Sequence, residues 1–197
     1  ASGNPPEIAL LDNFQIPTWA QQDALVKLDD LMAASGLSFD GIYDWASNGS
    51  HYKDAVYSIP YNGDTRALFY NKDLFAAAGL DPEDPPSTIE ELNEAAEKLT
   101  IMDGNTYKQV GFIPWLNAGK PIYTWGWNFG GDFYDADTNT LTVAKAENIE
   151  ALQWEVDFAE KFGGKSFIEF ANGLGSGAQD AFVTGQVAMA VRGNFDI

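Results

Sequence analysis

AVYSIPYNGDTRALFYNKDLFAAAGL, residues Ala55–Leu80, is the stretch on which the fold turns. It holds two β-rich runs, VYSIPY (Val56–Tyr61) and RALFYN (Arg66–Asn71), separated by Asn62-Gly63-Asp64-Thr65. By local rules alone, Asn-Gly between two apolar runs is a hairpin signal, because glycine and asparagine tolerate the positive φ of a tight turn. A short helix is predicted over Lys72–Ala78, with Gly79 placed where a left-handed C-cap falls.

Pro82 to Pro86 (PEDPP) forms a rigid linker toward the C-terminus. Thr88 and Glu91 then have the spacing of a capping box: the hydroxyl can accept from the Glu91 amide while the carboxylate reaches back. Ile89, Leu92, Ala95, Ala96 and Leu99 recur at helical spacing, with Glu90, Glu94 and Lys98 toward water. A short strand is expected over Gln109–Pro114, and strand, turn, strand over Phe133–Val143. In the latter, Asp135, Asp137 and Asn139 open like a calcium loop. The match ends at Thr140, where that loop needs glycine, and at Ala146, where it needs a bidentate Glu, so calcium is rejected. An amphipathic helix is expected over Glu147–Phe162, with Ile149, Leu152, Val156, Ala159 and Phe162 along its buried side. Gly164-Lys165-Ser166 ends like a phosphate loop, but Ala159 stands at the first glycine position, and a helix end fits better. Asn172–Gly177 (NGLGSG) reads as a mobile surface loop.

Toward the N-terminus, Glu7–Leu11 (EIALL) has the continuous apolar character of a buried parallel strand. Asp12 and Asn13 stand at its C-terminal end, where open α/β sheets bind ligands; the alternative is that they only cap the following turn. Trp19–Met32 and Phe39–Trp45 read as short helices, with Asp29, Asp30 and Asp40 as caps or solvated positions.

The 197 residues suffice for one good core or two small lobes, and 45% hydrophobic content is that of a globular chain. With 29 acidic against 11 basic residues, the net charge of −18 argues against nucleic acid and against a polybasic membrane contact. Cysteine is absent, which removes disulfides, thiolate metal sites and a cysteine nucleophile. The one histidine, His51, cannot build a multi-histidine metal cluster and has no triad around it. No apolar run is long enough to span a membrane.

Ile59–Leu92 resembles the central signature of the extracellular solute-binding proteins of sugar ABC transporters (family 1, maltose-binding-protein-like). That signature is Pro-x-x-x-Asp-Thr, then YNKDLF, Gly-Leu, Pro-Pro and a Thr-x-x-Glu-Leu helix start. Ala181–Phe195 (AFVTGQVAMAVRGNF) is similar to the family's second signature, F-x-x-G-x-x-A-M-x-x-x-G with an aromatic residue two positions on. SGNPPE at Ser2–Glu7 resembles the lead-in to a cleft-edge strand, with Glu7 where the family usually has Asp.

The resemblance implies an α/β fold of the periplasmic-binding-protein-like type II, two lobes joined by hinge strands. Residues 1–60 would be the remnant of lobe 1, ending in a hinge strand, and 61–197 most of lobe 2. The chain would then be an internal piece, with lobe 1 beginning upstream of Ala1 and lobe 2 ending after Ile197. Asn62–Thr65 would lie on the floor of a ligand cleft rather than at a hairpin tip, and Asn117–Gly131 would be helical. On such a helix Ile122, Trp125 and Phe129 share one face, and Tyr123 and Trp127 another. The positions matching the family's contact sites are Asp12, Asn13, Asp64, Trp125 and Phe195. Phe195 stands where most members carry Trp. Arg66 lies two residues beyond Asp64, able to share its face or simply to pair with it.

The implied function is that of the substrate-binding component of an ABC importer. It would capture a sugar or oligosaccharide between the lobes and deliver it to the transmembrane permease subunits. The resemblance further implies a monomer in full-length form, extracellular or periplasmic, lipid-anchored or secreted, with no enzymatic activity, cofactor or metal. The alternative from composition is a glycoside hydrolase using paired carboxylates.

Overall fold

The structure of the protein is a computed structural model and describes residues 3, 6–119, 121–175 and 179–196. The chain divides into two compact units, Ala1–Gly63 and Asp64–Ile197.

In the first unit, a 3₁₀ turn over Asn13–Gln15 leads into α1, Ile16–Gln21, where Pro17 is accommodated in the first turn because its missing N–H has no acceptor there. Helix α2 spans Asp29–Ser35 and closes on Gly36 at φ 66°, the left-handed C-cap. Helix α3, Asp44–Asn48, leads into a short hairpin of β1, His51–Tyr52, and β2, Ala55–Val56. The Val56 amide donates to the Asp29 carboxylate at 3.3 Å and the Val56 carbonyl accepts from Leu28 at 2.9 Å, which ties the hairpin to the start of α2. Two expectations are corrected here. Glu7–Leu11 is not a strand: no described strand runs beside it, so its backbone has no ladder partner, and Ile8 and Leu10 are exposed. Trp19–Met32 is not one helix, because the chain leaves α1 at Gln22 and Asp23 takes φ 54°, a left-handed geometry that a helix interior does not allow.

The second unit is built on a four-stranded sheet of order β3-β8-β5-β4: Arg66–Tyr70, Val187–Gly193, Thr106–Phe112 and Ile101–Asp103. β3 pairs antiparallel with β8, β8 parallel with β5, and β5 antiparallel with β4. β8 is flanked on both sides and every one of its residues is buried, the apolar run Val187–Val191 as a central strand demands and Arg192 as well. The hairpin that local rules alone signal at Asn62–Thr65 does not form, since β2 pairs with β1 and β3 with β8. A hairpin does form at Gly104-Asn105, where Gly104 takes φ 58°.

Helix α4, Lys72–Ala77, is capped by Asn71, whose side chain accepts from the amides of Asp73 and Leu74, and Gly79 follows at φ 74°. In α5, Ile89–Leu99, both arms of the Thr88–Glu91 capping box are present. Between β5 and β8 run α6, Ile122–Asn128, a small hairpin of β6 (Tyr134–Asp135) and β7 (Thr140–Leu141), α7 (Ala146–Lys161) and α8 (Lys165–Asn172). At the β6–β7 turn the Asp135 carboxylate accepts from the amides of Asp137 and Thr138, an Asx turn rather than a cation loop. The loop expected at Asn172–Gly177 begins as the end of α8, and residues 176–178 lie outside the described residues.

The core of this unit packs α5, α7 and α8 onto the sheet through Phe112, Phe158, Phe167, Leu99, Val110 and Met189. The buried side of α7 matches the expected one only in part: Ala159 is buried and Phe162 packs against the core, but Asn148, Ala151 and Phe158 face inward while Ile149, Leu152 and Val156 are exposed. No helix among the described residues is long and apolar enough to cross a membrane.

Candidate functional site

The parallel pair β5 and β8 ends at Phe112 and Gly193, and β3 begins at Arg66 directly opposite Gly193. Carboxyl ends of parallel strands are where open α/β sheets hold ligands, because loops rather than ladder partners occupy that edge. Two of the expected residues meet there. Asn194 locks the corner from both directions: its amide donates to the Thr65 carbonyl at 3.1 Å, and its side-chain oxygen accepts from the Thr65 amide at 3.3 Å. This holds Asp64, just before β3, beside Phe195, just after β8. The Arg66 guanidinium donates to the Asp64 carboxylate and lies over the Phe195 ring, 5.8 Å from its centroid. Phe195 sits in a 3₁₀ turn, Asn194–Asp196, and is 68% exposed. Gly193 makes that placement possible, since a Cβ there would overlap the Phe195 ring.

One strand residue earlier, the corner is anchored in the core. Arg192 is buried, donates to Asp180 at 2.8 Å and lies 5.3 Å from the Phe182 ring. Burial would raise the Asp180 carboxyl. The hydrogen bond from Arg192 and the amides of Val183 and Phe182 outweigh it and hold the group below the usual carboxylate range. An ion pair this enclosed fixes the register of the β8 end more than it stabilises the fold, because desolvating both charges offsets most of their attraction.

The remaining expected residues are placed differently. Trp125 faces the core of the second unit, 4% exposed, with its indole N–H donating to the Pro114 carbonyl at 3.0 Å and its ring against Phe112 and Trp154. It offers no ring face to a solute. The rings of α6 that reach water are Tyr123 and Trp127, packed on each other at 4.9 Å between centroids. Asp12 and Asn13 belong to the first unit. Asp12 precedes the 3₁₀ turn, its carbonyl accepting from Gln15 at 2.9 Å, but its carboxylate makes no capping bond. The Asn13 side chain packs over Gly49. Among the described residues no group of three histidine, cysteine or acidic side chains could hold a metal ion. Gly193 is the last glycine of the second signature, whereas Asn194 has no place in it. The signal for Asn194 is a short amide directly between that glycine and the aromatic residue.

A carboxylate beside an exposed ring, on a corner pinned to a buried strand, is the equipment of a small-molecule binder. The model of the bacterial extracellular solute-binding protein family matches residues 1–197, and the chain belongs to that family. Its α/β fold is that of the periplasmic-binding-protein-like sugar-binding proteins. A solved structure of CpMnBP1 with mannobiose bound is similar at TM-score 0.79 and 36% identity, over 91% of this chain and 45% of that one. An ABC transporter solute-binding protein from Thermotoga lettingae TMO, bound with alpha-D-tagatose, is similar at TM-score 0.70 and 25% identity, over 91% of this chain and 45% of that one. The sn-glycerol-3-phosphate-binding periplasmic protein UgpB of Escherichia coli (strain K12) is 34% identical over 119 residues, 58% of this chain and 27% of the relative. The chain thus spans less than half the length of each of these proteins.

Proposed function

We propose that this chain belongs to the substrate-binding component of an ABC importer, which captures a neutral sugar or oligosaccharide in a cleft between two lobes and delivers it to the transmembrane permease subunits. The observation that carries this reading is the corner joining Asp64 to Phe195. Sugars need acceptors for their hydroxyls and flat rings for their C–H faces, and this corner offers one of each. A carboxylate such as that of Asp64 accepts hydroxyl hydrogen bonds more strongly than a neutral group would. The sugar-bound relatives add to the reading. Residues 1–60 serve as part of lobe 1 and 61–197 as part of lobe 2; the division of the chain after Gly63 supports this. The solute acts by population shift: it contacts both lobes only when they close, so it favours the closed form that the permease receives. Asp12 and Asn13 contribute polar contacts from lobe 1. The protein works as a monomer without turnover, outside the cytoplasmic membrane, either secreted or held there by a lipid anchor.

Isothermal titration of the full-length protein against mono- and oligosaccharides, with product analysis of each mixture, tests this. Saturable binding with every sugar recovered intact is the expected result. Cleaved sugar would replace the reading with a glycoside hydrolase, and silence across the panel would remove sugars as its ligands. Asp64→Ala is expected to weaken binding of the best sugar at least tenfold, about 1.4 kcal/mol; unchanged affinity removes Asp64 from the site.

A further inference from the structure

The chain has two arginines, and the β3–β8 register sets them side by side, Arg66 opposite Gly193 and Ala67 opposite Arg192. Arg192 is buried on Asp180. Arg66 is not: its side chain is 36% exposed, and that of its partner Asp64 is 43% exposed. Gly193 across from it presents no side chain, which leaves the edge of β8 open to the Arg66 stem. Phe195 lies two residues further on, within the diagonal reach of a long side chain across an antiparallel pair, and the guanidinium sits over its ring. The same guanidinium donates to the Asp64 carboxylate. Its planar fork suits it to both tasks at once, pairing with a carboxylate and stacking on an aromatic face. One cation of the second unit thus holds both groups that a sugar would use.

We propose that Arg66 is the specificity-determining residue of this corner, an internal occupant that a neutral sugar displaces from Asp64 and Phe195. The proposal rests on the sugar-binding reading above. Both contacts are exposed, and an exposed ion pair and an exposed cation–π contact are each weak. They set a threshold without blocking the site. A solute that offers adjacent hydroxyls to the carboxylate and a C–H face to the ring replaces both contacts. A solute that offers only one of these gains less, because half of the arginine's hold remains. An anionic solute cannot take Asp64 from the guanidinium and can only join the cation. Competition of this kind leaves a signature in salt that a direct contact with the sugar does not. Salt screens the exposed Arg66–Asp64 pair and leaves hydrogen bonds to an uncharged sugar nearly untouched, so displacement becomes easier as ionic strength rises. The net charge of −18 makes salt act on the molecule as a whole, and variants at Arg66 carry that background.

The test compares the full-length protein with its Arg66→Ala and Arg66→Gln variants at low and high sodium chloride, with thermal melting run alongside. The probes are mannobiose, mannotriose and alpha-D-tagatose, the sugars named for similar solved structures, and glycerol 3-phosphate. Both variants are expected to bind the best of these sugars about three- to tenfold more tightly than the parent at about 20 mM salt, and to melt within a few degrees of it. Between about 20 and 500 mM salt the parent is expected to gain at least about twofold on the variants, narrowing the gap. Weaker sugar binding in both variants overturns the proposal, making Arg66 a contact to the sugar, and leaves the sugar-binding reading intact. Equal affinity in all three proteins, or a gap that salt does not change, overturns it too. So does an Arg66→Gln variant that binds like the parent while Arg66→Ala binds more tightly, since bulk and not charge would then be at work. A parent that binds none of these sugars removes the displacement and the sugar reading together, and binding of glycerol 3-phosphate in their place would name an anion as the ligand.

Discussion

At the scale of single residues, the corner of the second unit separates binding from stability. Gly193 is a strand residue without a positive φ, so its role is not conformational freedom but room for the Phe195 ring. An added methyl meets the far end of an exposed side chain, which can swing away at little cost. Gly193→Ala is therefore expected to weaken sugar binding about five- to tenfold, by moving the ring from beside Asp64, while lowering stability by less than about 1 kcal/mol. Titration together with urea unfolding checks both halves. A loss of stability above about 2 kcal/mol with normal affinity would show that strand packing, and not the ring, needs the glycine. Asp64 and Phe195 could be marked in sequence because each lies at a fixed place in a signature of ordered residues. Trp125 could not be judged the same way. Its burial is decided by Phe112 at the end of β5, Pro114 just beyond it and Trp154 on α7, and nothing in the run NAGKPIYTWGWNFGG says which ring meets them.

At the scale of elements, what was legible depended on whether one physical rule sufficed. The Thr88–Glu91 box and the helix after Asn71, closed by Gly79 in the left-handed region, each follow from a local pattern, and each forms. Helix α7 shows the limit. Its sequence carries two adjoining apolar stripes, Ile149–Leu152–Val156 and Ala151–Trp154–Phe158–Phe162, so periodicity finds the helix but not its rotation. The aromatic stripe is the one that packs, Trp154 against Trp125 at 4.6 Å and Phe158 against Phe112 at 6.0 Å. Asn148 sets the angle by donating to the carbonyls of Asp132 at 2.6 Å and Thr142 at 3.2 Å. Glu7–Leu11 failed for the opposite reason: its apolar run is real, but a strand exists only with a neighbour. The contact between α5 and β5 was invisible in sequence and makes a sharp prediction. Gly111 faces the main chain of Ala96, and an added Cβ would overlap its carbonyl and Cα. A helix backbone cannot swing aside as a side chain can, so sheet and helix must part. Gly111→Ala is expected to destabilise the protein by about 3 kcal/mol, read as a lower urea midpoint at unchanged slope.

At the scale of the whole molecule, stability against pH is set by opposed carboxyl groups. Asp180, Asp132, Asp135 and Glu91 all lie below their ordinary values, the first after its hydrogen bonds overcome burial, the others through hydrogen bonds led by Lys145, Thr138 and Ser87. A depressed carboxyl contributes stability above its unfolded value and loses it as pH falls through the folded one. Glu155 acts in the other direction. It lies half-buried on α7, one of its carboxylate oxygens has no hydrogen-bond partner among the described residues, and burial pushes its pKa from 4.5 up to about 7. Between those two values the folded protein holds a proton that the unfolded chain has released, so stability falls as pH rises through that window. The net charge of −18 adds a repulsion of the same sign as the remaining carboxyls ionise. Glu155→Gln keeps the shape and removes the titration. It is expected to match the parent near pH 4 and to exceed it by about 1 kcal/mol near pH 8, a magnitude reduced because solvent still reaches part of the side chain. Urea unfolding of both proteins at about pH 4, 6 and 8 measures the difference, which should open between the first two points and be nearly complete at the third. A difference independent of pH would mean that Glu155 titrates alike in the folded and the unfolded protein, and that the acid limb alone shapes the curve.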